Sequence, residues 1–199
     1  MTDISQNKYI DTALDPKLLS MPFKVQTNWH VITGAPCSGK TTLIDQLADK
    51  GFKIFPEAAR QYFAREFAKG RTIDEIRADP AQFTRQIFDL WIELQRDLHP
   101  SEIIFHDRGL PDGFAFYRIA GIDPNEIVPA CFQYRYASVF LLERSPYQLD
   151  GVRAGDDALA AYYESWTLRD FTTIGYNVVK VPVFPPEERL SFILERLSL

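Results

Sequence analysis

The segment GAPCSGKT at residues 34–41 constrains this chain more than any other feature of its sequence. It matches G-x-x-x-x-G-K-[ST] at every required position. In this pattern the glycines let the backbone turn so that successive N–H groups face a phosphate, a lysine adds a mobile positive charge, and a hydroxyl binds Mg²⁺. Average residue frequencies give a chance match somewhere in a chain of 199 residues a probability on the order of one per cent. The segment therefore predicts a nucleotide site.

The residues on both sides of this segment support the same prediction. An apolar run at residues 29–33 precedes it, and helical periodicity over residues 40–50 follows it. The positive end of that helix favours a phosphate. We expect Lys40 to hold the phosphates and Thr41 to bind Mg²⁺. The complete set expected to contact the nucleotide is Gly34, Ala35, Pro36, Cys37, Ser38, Gly39, Lys40, Thr41 and Thr42.

Apolar runs and helical segments alternate along the rest of the chain. Strands are predicted at residues 29–33, 52–55, 103–106, 138–142 and 176–181, with helices between them and a closing helix at residues 186–197. Such alternation produces a parallel sheet with helices on both faces. We predict an α/β P-loop NTPase domain with five parallel strands over residues 28–199. An N-terminal extension, residues 1–27, precedes it, with one short helix near residues 17–19.

Polar side chains follow the ends of the second and third predicted strands, where ligands of parallel sheets bind. Asp107 and Arg108 follow the third strand. The carboxylate there supports Mg²⁺ or an acceptor, and the arginine grips phosphate. Glu57 and Arg60 follow the second strand, one helical turn apart. We expect Glu57 to orient or deprotonate an acceptor; the alternative is an acid that only complements the dipole of its helix. All four are candidate substrate-binding residues, and Asp107 is also a candidate metal ligand.

The segment after the fourth predicted strand, residues 144–156, is interpreted as a lid. Its Arg153 would neutralise charge on a transferring phosphate, as cations do where charge develops. Arg144 is a weaker candidate for the same task. The alternative is a solvated loop that carries ordinary surface arginines.

The net charge indicates which partners the protein can bind, and the cysteine content indicates the cellular compartment. With 22 Lys+Arg against 27 Asp+Glu the net charge is −5, which argues against nucleic-acid binding. Two cysteines make no disulfide framework and favour a cytoplasmic location. No signal-peptide pattern and no apolar run near the roughly 18 residues of a membrane span occur, so we expect a soluble protein without a membrane partner. No sequence feature indicates the oligomeric state.

Five segments together resemble a known family: ITGAPCSGKTT, FPEAAR, FHDRG, QLDGVR and GYNVVKVPVFPPEER. They are similar to the NadR-like AAA-type P-loop family. That family includes the nicotinamide riboside kinase domain and is related to deoxynucleoside and nucleoside monophosphate kinases. The resemblance covers about residues 29–197 and implies a nucleoside-kinase-like fold. It also implies an acceptor-orienting carboxylate at Glu57, an acid–arginine pair at Asp107 and Arg108, and a lid position for Arg153.

Two functions follow as hypotheses. The first is an ATP- and Mg²⁺-dependent phosphotransferase that acts on a small nucleoside-like or other metabolite acceptor. The alternative is an ATP-binding switch that hydrolyses slowly and has no small-molecule acceptor. No Asn-Lys-x-Asp signature supports a GTP-specific site. The acceptor itself is not indicated, because the segments expected to line its pocket, residues 57–100 and 110–135, follow no spacing rule. The predicted catalytic set is Lys40, Glu57, Asp107, Arg108 and Arg153.

Overall fold

A computed structural model of the chain describes residues 9–144 and 157–199. The strands are β1 (Val25–Gln26), β2 (Trp29–Thr33), β3 (Lys53–Phe55), β4 (Ile104–Asp107), β5 (Tyr134–Arg135), β6 (Ser138–Leu142) and β7 (Val178–Val181). The α-helices are α1 (Lys40–Asp49), α2 (Ala58–Ala68), α3 (Ile73–Arg77), α4 (Pro80–Arg96), α5 (Gly113–Ile119), α6 (Val128–Cys131), α7 (Asp157–Thr173) and α8 (Pro186–Leu197). Short 3₁₀ helices span Leu18–Ser20, Leu110–Asp112 and Pro124–Ile127.

Five strands form one parallel sheet in the order β3-β4-β2-β6-β7. This confirms the predicted α/β architecture, with strand bounds shifted by at most two residues. Strands β1 and β5 form a separate parallel pair that the sequence did not predict. Each has only two residues, too few to produce a recognisable alternation of apolar and polar residues.

The central strand β2 separates two apolar layers. Its five residues are all buried, as expected for a strand covered on both faces. Val31 packs in the cluster that contains side chains of α4 and α5, whereas Ile32 packs in the cluster that contains side chains of α1 and α8. Successive side chains of a strand point to opposite faces, so neighbouring residues of β2 belong to different cores. The helices therefore cover both faces of the sheet.

The described part of the N-terminal segment lies across α5 and α7. The Tyr162 hydroxyl donates to the carbonyl of Ile10 at 2.7 Å, and Nε of Arg118 donates to the carbonyl of Thr12 at 2.7 Å. Leu14 is buried in the larger core. The short helix expected near residues 17–19 is the 3₁₀ turn at Leu18–Ser20. Within the described ranges, no helix combines the length and apolarity that crossing a membrane requires.

Candidate nucleotide and acceptor site

The predicted phosphate loop connects the central strand β2 to α1. Gly34 has a φ of 150°, and a Cβ atom there would lie 2.8 Å from Oγ of Ser38 and 2.9 Å from the carbonyl oxygen of Leu142. Gly39 has a φ of 89° immediately before Lys40 begins α1. Only glycine adopts both conformations without strain or a clash. The two motif glycines are thus required by the backbone path of the loop.

The rest of the loop presents a mixture of buried and exposed residues. Ala35 and Ser38 are buried, whereas Pro36, Cys37, Thr41 and Thr42 are exposed. Cys37 carries a free, exposed thiol. Of the predicted nucleotide-contacting residues, those at 34–39 form the loop and those at 40–42 begin α1.

Arg189 on α8 is hydrogen-bonded to this loop and to the ends of two strands. Its Nη1 donates to the carbonyl of Ser38 at 2.5 Å, its Nη2 to the carbonyl of Glu143 at 2.8 Å, and its Nε to the carbonyl of Pro182 at 3.0 Å. These three acceptors are neutral, and burial lowers the pKa of Arg189. The guanidinium therefore joins the loop to the ends of β6 and β7. This role is not predicted from the sequence, in which Arg189 is only the last residue of the segment GYNVVKVPVFPPEER.

We expect Arg189→Met to weaken ATP binding roughly tenfold, since hydrogen bonds from a charged donor each contribute about 1.5–3 kcal/mol. Titration calorimetry of the full chain with ATP measures the effect. Arg196→Met is the matched control: Arg196 lies on the same helix and contacts Phe192 away from the loop. Equal ATP affinity in the two variants would contradict this role of Arg189.

Lys40 lies among the charged groups that the sequence assigned to the site. Burial, followed by the nearby positive charge of Arg108, lowers the pKa of Lys40 to about 8. The carboxylates of Asp107 and Glu57 act in the opposite direction. The fold thus brings these four predicted residues within electrostatic reach of one another.

Glu57, at the start of α2, contacts Arg108 and Arg60. Its Oε1 accepts from Nε of Arg108 at 3.0 Å, and its Oε2 lies 3.3 Å from Nε of Arg60. Burial alone would raise the pKa of Glu57, but Arg108 and other cations hold it below its usual value, so the carboxylate is ionised. Although Glu57 occupies the N-cap position of α2, its side chain makes no capping hydrogen bond. Its side chain therefore contacts two arginines and does not cap its own helix.

Asp107 is the last residue of β4 and is buried. Its Oδ1 has no hydrogen-bond partner among the residues that the structure describes. Burial, followed by the repulsion of Glu57, raises its pKa. Two neighbouring carboxyl groups with pKa values displaced in opposite directions are typical of active sites.

These residues fit a magnesium ion. A buried carboxylate oxygen without a partner suits a cation, and the Thr41 hydroxyl lies at the start of α1, where it accepts from Nη2 of Arg60 at 3.0 Å. Magnesium is usually bound through one or two protein oxygens together with water and substrate phosphates. In the described ranges, no group of three or more His, Cys, Asp or Glu side chains is arranged to hold a metal ion.

Arg108 is also buried. It is 5% exposed, its φ is 77°, and Nη1 donates to the carbonyl of Gly34 at 3.1 Å. The same nitrogen donates to the hydroxyl of Tyr163 and lies 3.7 Å from Oδ1 of Asp112. Neither Tyr163 nor Asp112 is among the site residues predicted from the sequence. Asp112 is four residues after Arg108, whereas Tyr163 is 55 positions away, so no short-range pattern links Tyr163 to Arg108.

An apolar cavity of about 180 Å³ opens beside these charged groups, between α2, α4 and α5. Glu57 and Arg108 belong to its lining, together with Arg77 and Thr84. Arg60 and Asp107 are not among the lining residues, so two of the four predicted substrate-binding residues line the cavity. Its aromatic residues are Phe63, Phe83, Phe88, Trp91, Phe116 and Tyr117.

Residues 145–156 of the predicted lid, with Arg153, lie outside the described residues. Arg144, the first residue of the predicted lid, has its Nε 3.6 Å from Oε2 of Glu164 on α7.

The fold and the phosphate loop together define a P-loop domain with the architecture of nucleoside and nucleotide kinases. Residues 29–189 match the model of an AAA-domain family, and the chain belongs to that family. The resemblance to NadR-like P-loop kinases is confirmed. No protein with a curated description matches the sequence.

Solved structures show the same fold at low sequence identity. NadR protein in complex with NR has a TM-score of 0.59 at 17% identity, over 87% of this chain and 52% of that one, so the chain spans about half the length of NadR. Deoxyadenosine kinase from M. mycoides with bound dCTP has a TM-score of 0.59 at 14% identity, over 85% and 98%. Thymidylate kinase from Candida albicans has a TM-score of 0.53 at 17% identity, over 86% and 91%.

Proposed function

We propose that this protein is an ATP- and Mg²⁺-dependent phosphotransferase that acts on a hydroxyl group of a small, nucleoside-like acceptor. One observation carries the proposal: an apolar cavity is lined by Glu57 and Arg108, and Arg108 also donates to the Gly34 carbonyl of the phosphate loop. A phosphotransferase needs space for a second substrate beside the nucleotide. A switch that only hydrolyses ATP does not need such a space.

On the nucleotide side, the loop N–H groups and Lys40 bind the phosphates of ATP. Thr41 and Asp107 would hold Mg²⁺. When bound, the ion supplies positive charge that offsets the phosphate oxygens.

On the acceptor side, Glu57 orients the hydroxyl and accepts its proton. The low pKa of Glu57 keeps the carboxylate ionised at neutral pH. Its Oε2 becomes available when Arg60 moves away, and this costs little because the Arg60 side chain is 60% exposed. In the transfer, an oxygen–phosphorus bond forms to the acceptor, the bond to the leaving ADP oxygen breaks, and the proton goes to Glu57. Arg108 stabilises the charge that develops.

The aromatic lining supports an acceptor with a planar ring. Aromatic side chains pack favourably against flat rings in stacked or edge-on arrangements. Structural neighbours point the same way, since they include NadR in complex with NR and a deoxyadenosine kinase with bound dCTP. We therefore propose a nucleoside-like molecule as the acceptor class.

An acceptor panel tests the proposal. ADP formation is measured with ATP and Mg²⁺ in the presence of individual nucleosides and other hydroxyl-bearing metabolites, and phosphorylated products are detected by mass spectrometry. We expect ADP formation to rise with at least one nucleoside-like member and its phosphate ester to accumulate. Slow turnover that no acceptor changes would contradict a phosphotransferase and favour the ATP-binding switch.

We expect Asp107→Asn to raise the Mg²⁺ concentration needed for half-maximal activity roughly tenfold, because it removes the charge of a carboxylate placed to support the ion. A magnesium titration of ADP formation measures this shift. Asp49→Asn, an exposed substitution at the far end of α1, is the control and should leave the titration unchanged. If both variants follow the original titration curve, Asp107 does not support the metal.

A further inference from the structure

Three groups from separate parts of the chain hold the Arg108 guanidinium. Glu57 accepts from Nε at 3.0 Å, the Gly34 carbonyl accepts from Nη1 at 3.1 Å, and the Tyr163 hydroxyl accepts from the same Nη1. None of these hydrogen bonds uses Nη2. The start of α2, the phosphate loop and α7 therefore set the direction of the guanidinium together.

Tyr163 is the residue of α7 that contacts the Arg108 guanidinium. The side chain is 2% exposed, and its hydroxyl donates to Oδ1 of Asp112 while it accepts from Arg108. Burial raises the pKa of Tyr163 well above its usual value, so the hydroxyl keeps its proton. Tyr163 is not among the residues that line the cavity. It thus lies behind Arg108 and does not touch the proposed acceptor.

Asp112 in turn fixes the Tyr163 hydroxyl. This carboxylate is fully buried and also accepts from the hydroxyl of Thr33 and from the backbone N–H of Gly109, the latter at 2.8 Å. Removal of the Tyr163 hydroxyl leaves Asp112 with these two donors. A variant without that hydroxyl is therefore expected to fold.

The backbone conformation of Arg108 is not one that an arginine prefers. Its φ of 77° is in the left-handed region, which residues other than glycine rarely adopt. Such conformations persist where surrounding contacts determine them, and they cluster at functional sites. The ring of Tyr163, whose centre lies 4.9 Å from Cζ of Arg108, adds a second contact besides the hydrogen bond. Tyr163 thus restrains the guanidinium through two contacts: its hydroxyl accepts a hydrogen bond from Nη1, and its ring packs against the guanidinium.

We infer, on the basis of the proposed function, that Tyr163 is a positioning residue for phosphoryl transfer: held by Asp112, its hydroxyl fixes the Arg108 guanidinium between the phosphate loop and Glu57. Arg108 touches the reacting groups, and Tyr163 acts through it. A guanidinium that rotates freely stabilises developing charge less well, because misplacement by about 1 Å costs on the order of a hundredfold in rate.

The test compares Tyr163→Phe with Tyr162→Phe in the full chain. Both substitutions remove one phenolic oxygen from α7, but the Tyr162 hydroxyl binds the carbonyl of Ile10, away from the site. The first measurement is the NMR signal of Nε–H of Arg108, assigned by its loss in Arg108→Lys, and the rate of rotation about the Nε–Cζ bond. We expect faster rotation and a shifted signal in Tyr163→Phe, and neither change in Tyr162→Phe.

The second measurement is ADP formation with the acceptor that the panel identifies. We expect Tyr163→Phe to lower kcat about 10- to 100-fold with little change in the KM for ATP, and Tyr162→Phe to leave both unchanged. An unaltered Arg108 signal, or unaltered turnover, in Tyr163→Phe would overturn the inference. If no acceptor raises ADP formation, the proposed function fails. The positioning role is then judged by the NMR signal and by acceptor-independent ATP hydrolysis, since Arg108 is hydrogen-bonded to the phosphate loop at the Gly34 carbonyl.

Discussion

Phosphoryl transfer by Glu57→Gln is expected to be about 10²- to 10⁴-fold slower than by the unsubstituted protein, because the amide cannot accept the proton of the acceptor hydroxyl. The affinity for ATP should change little, since Glu57 contributes to the cavity and not to the loop that binds the phosphates. The transfer rate is measured as acceptor-dependent ADP formation, and ATP affinity by calorimetry.

Glu75→Gln is the matched control for this prediction. Glu75 lies in the first turn of α3 and caps that helix together with Thr72, so it represents an acid that serves only its helix. Its substitution should cost at most about 1 kcal/mol of stability and leave transfer intact. If Glu57→Gln behaves like Glu75→Gln, Glu57 only complements the dipole of α2, and the switch becomes the better hypothesis.

Lys40→Met is expected to lower ATP affinity about 10- to 150-fold, the loss that corresponds to hydrogen bonds from a charged donor. The same substitution should raise the melting temperature of the nucleotide-free protein at pH 7. Lys40 has a pKa of about 8 in the fold against 10.5 as its ordinary value, so its buried charge destabilises the folded state. Calorimetry and thermal unfolding measure the two effects.

The pH dependence of this stability follows from the lowered pKa. Between about pH 8 and 10.5 the unfolded chain holds the Lys40 proton that the folded chain has lost, so this group makes stability rise with pH. The gain in melting temperature of Lys40→Met should therefore be full below pH 8 and vanish above pH 10.5. Lys50→Met, at the exposed end of α1, should change neither ATP affinity nor stability. Tight ATP binding by Lys40→Met would contradict the assignment of the phosphate loop.

Helix α3 was not predicted from the sequence, although its first residues carry a short-range signal. Helix α3 begins with a capping box in which Thr72 and Glu75 bond each other's backbone N–H groups. The spacing of a threonine and a glutamate three residues apart is a recognised start signal. Strands β1 and β5 had no comparable signal, because a pair of two-residue strands depends on a partner distant in sequence.

The sequence by itself determined the phosphate loop, the order along the chain of the five strands of the main sheet, and the strand-end positions of Glu57 and Asp107. These features depend on residues close together along the chain: glycines that permit one turn, apolar runs of strand length, and polar residues where those runs stop. The tertiary structure alone decided what surrounds these residues. It placed Tyr163 against Arg108 across 55 positions and Arg189 against Ser38 across 151 positions. It also formed the aromatic cavity from three helices. Such contacts depend on how the helices pack on the sheet, and no local spacing of residues encodes that packing.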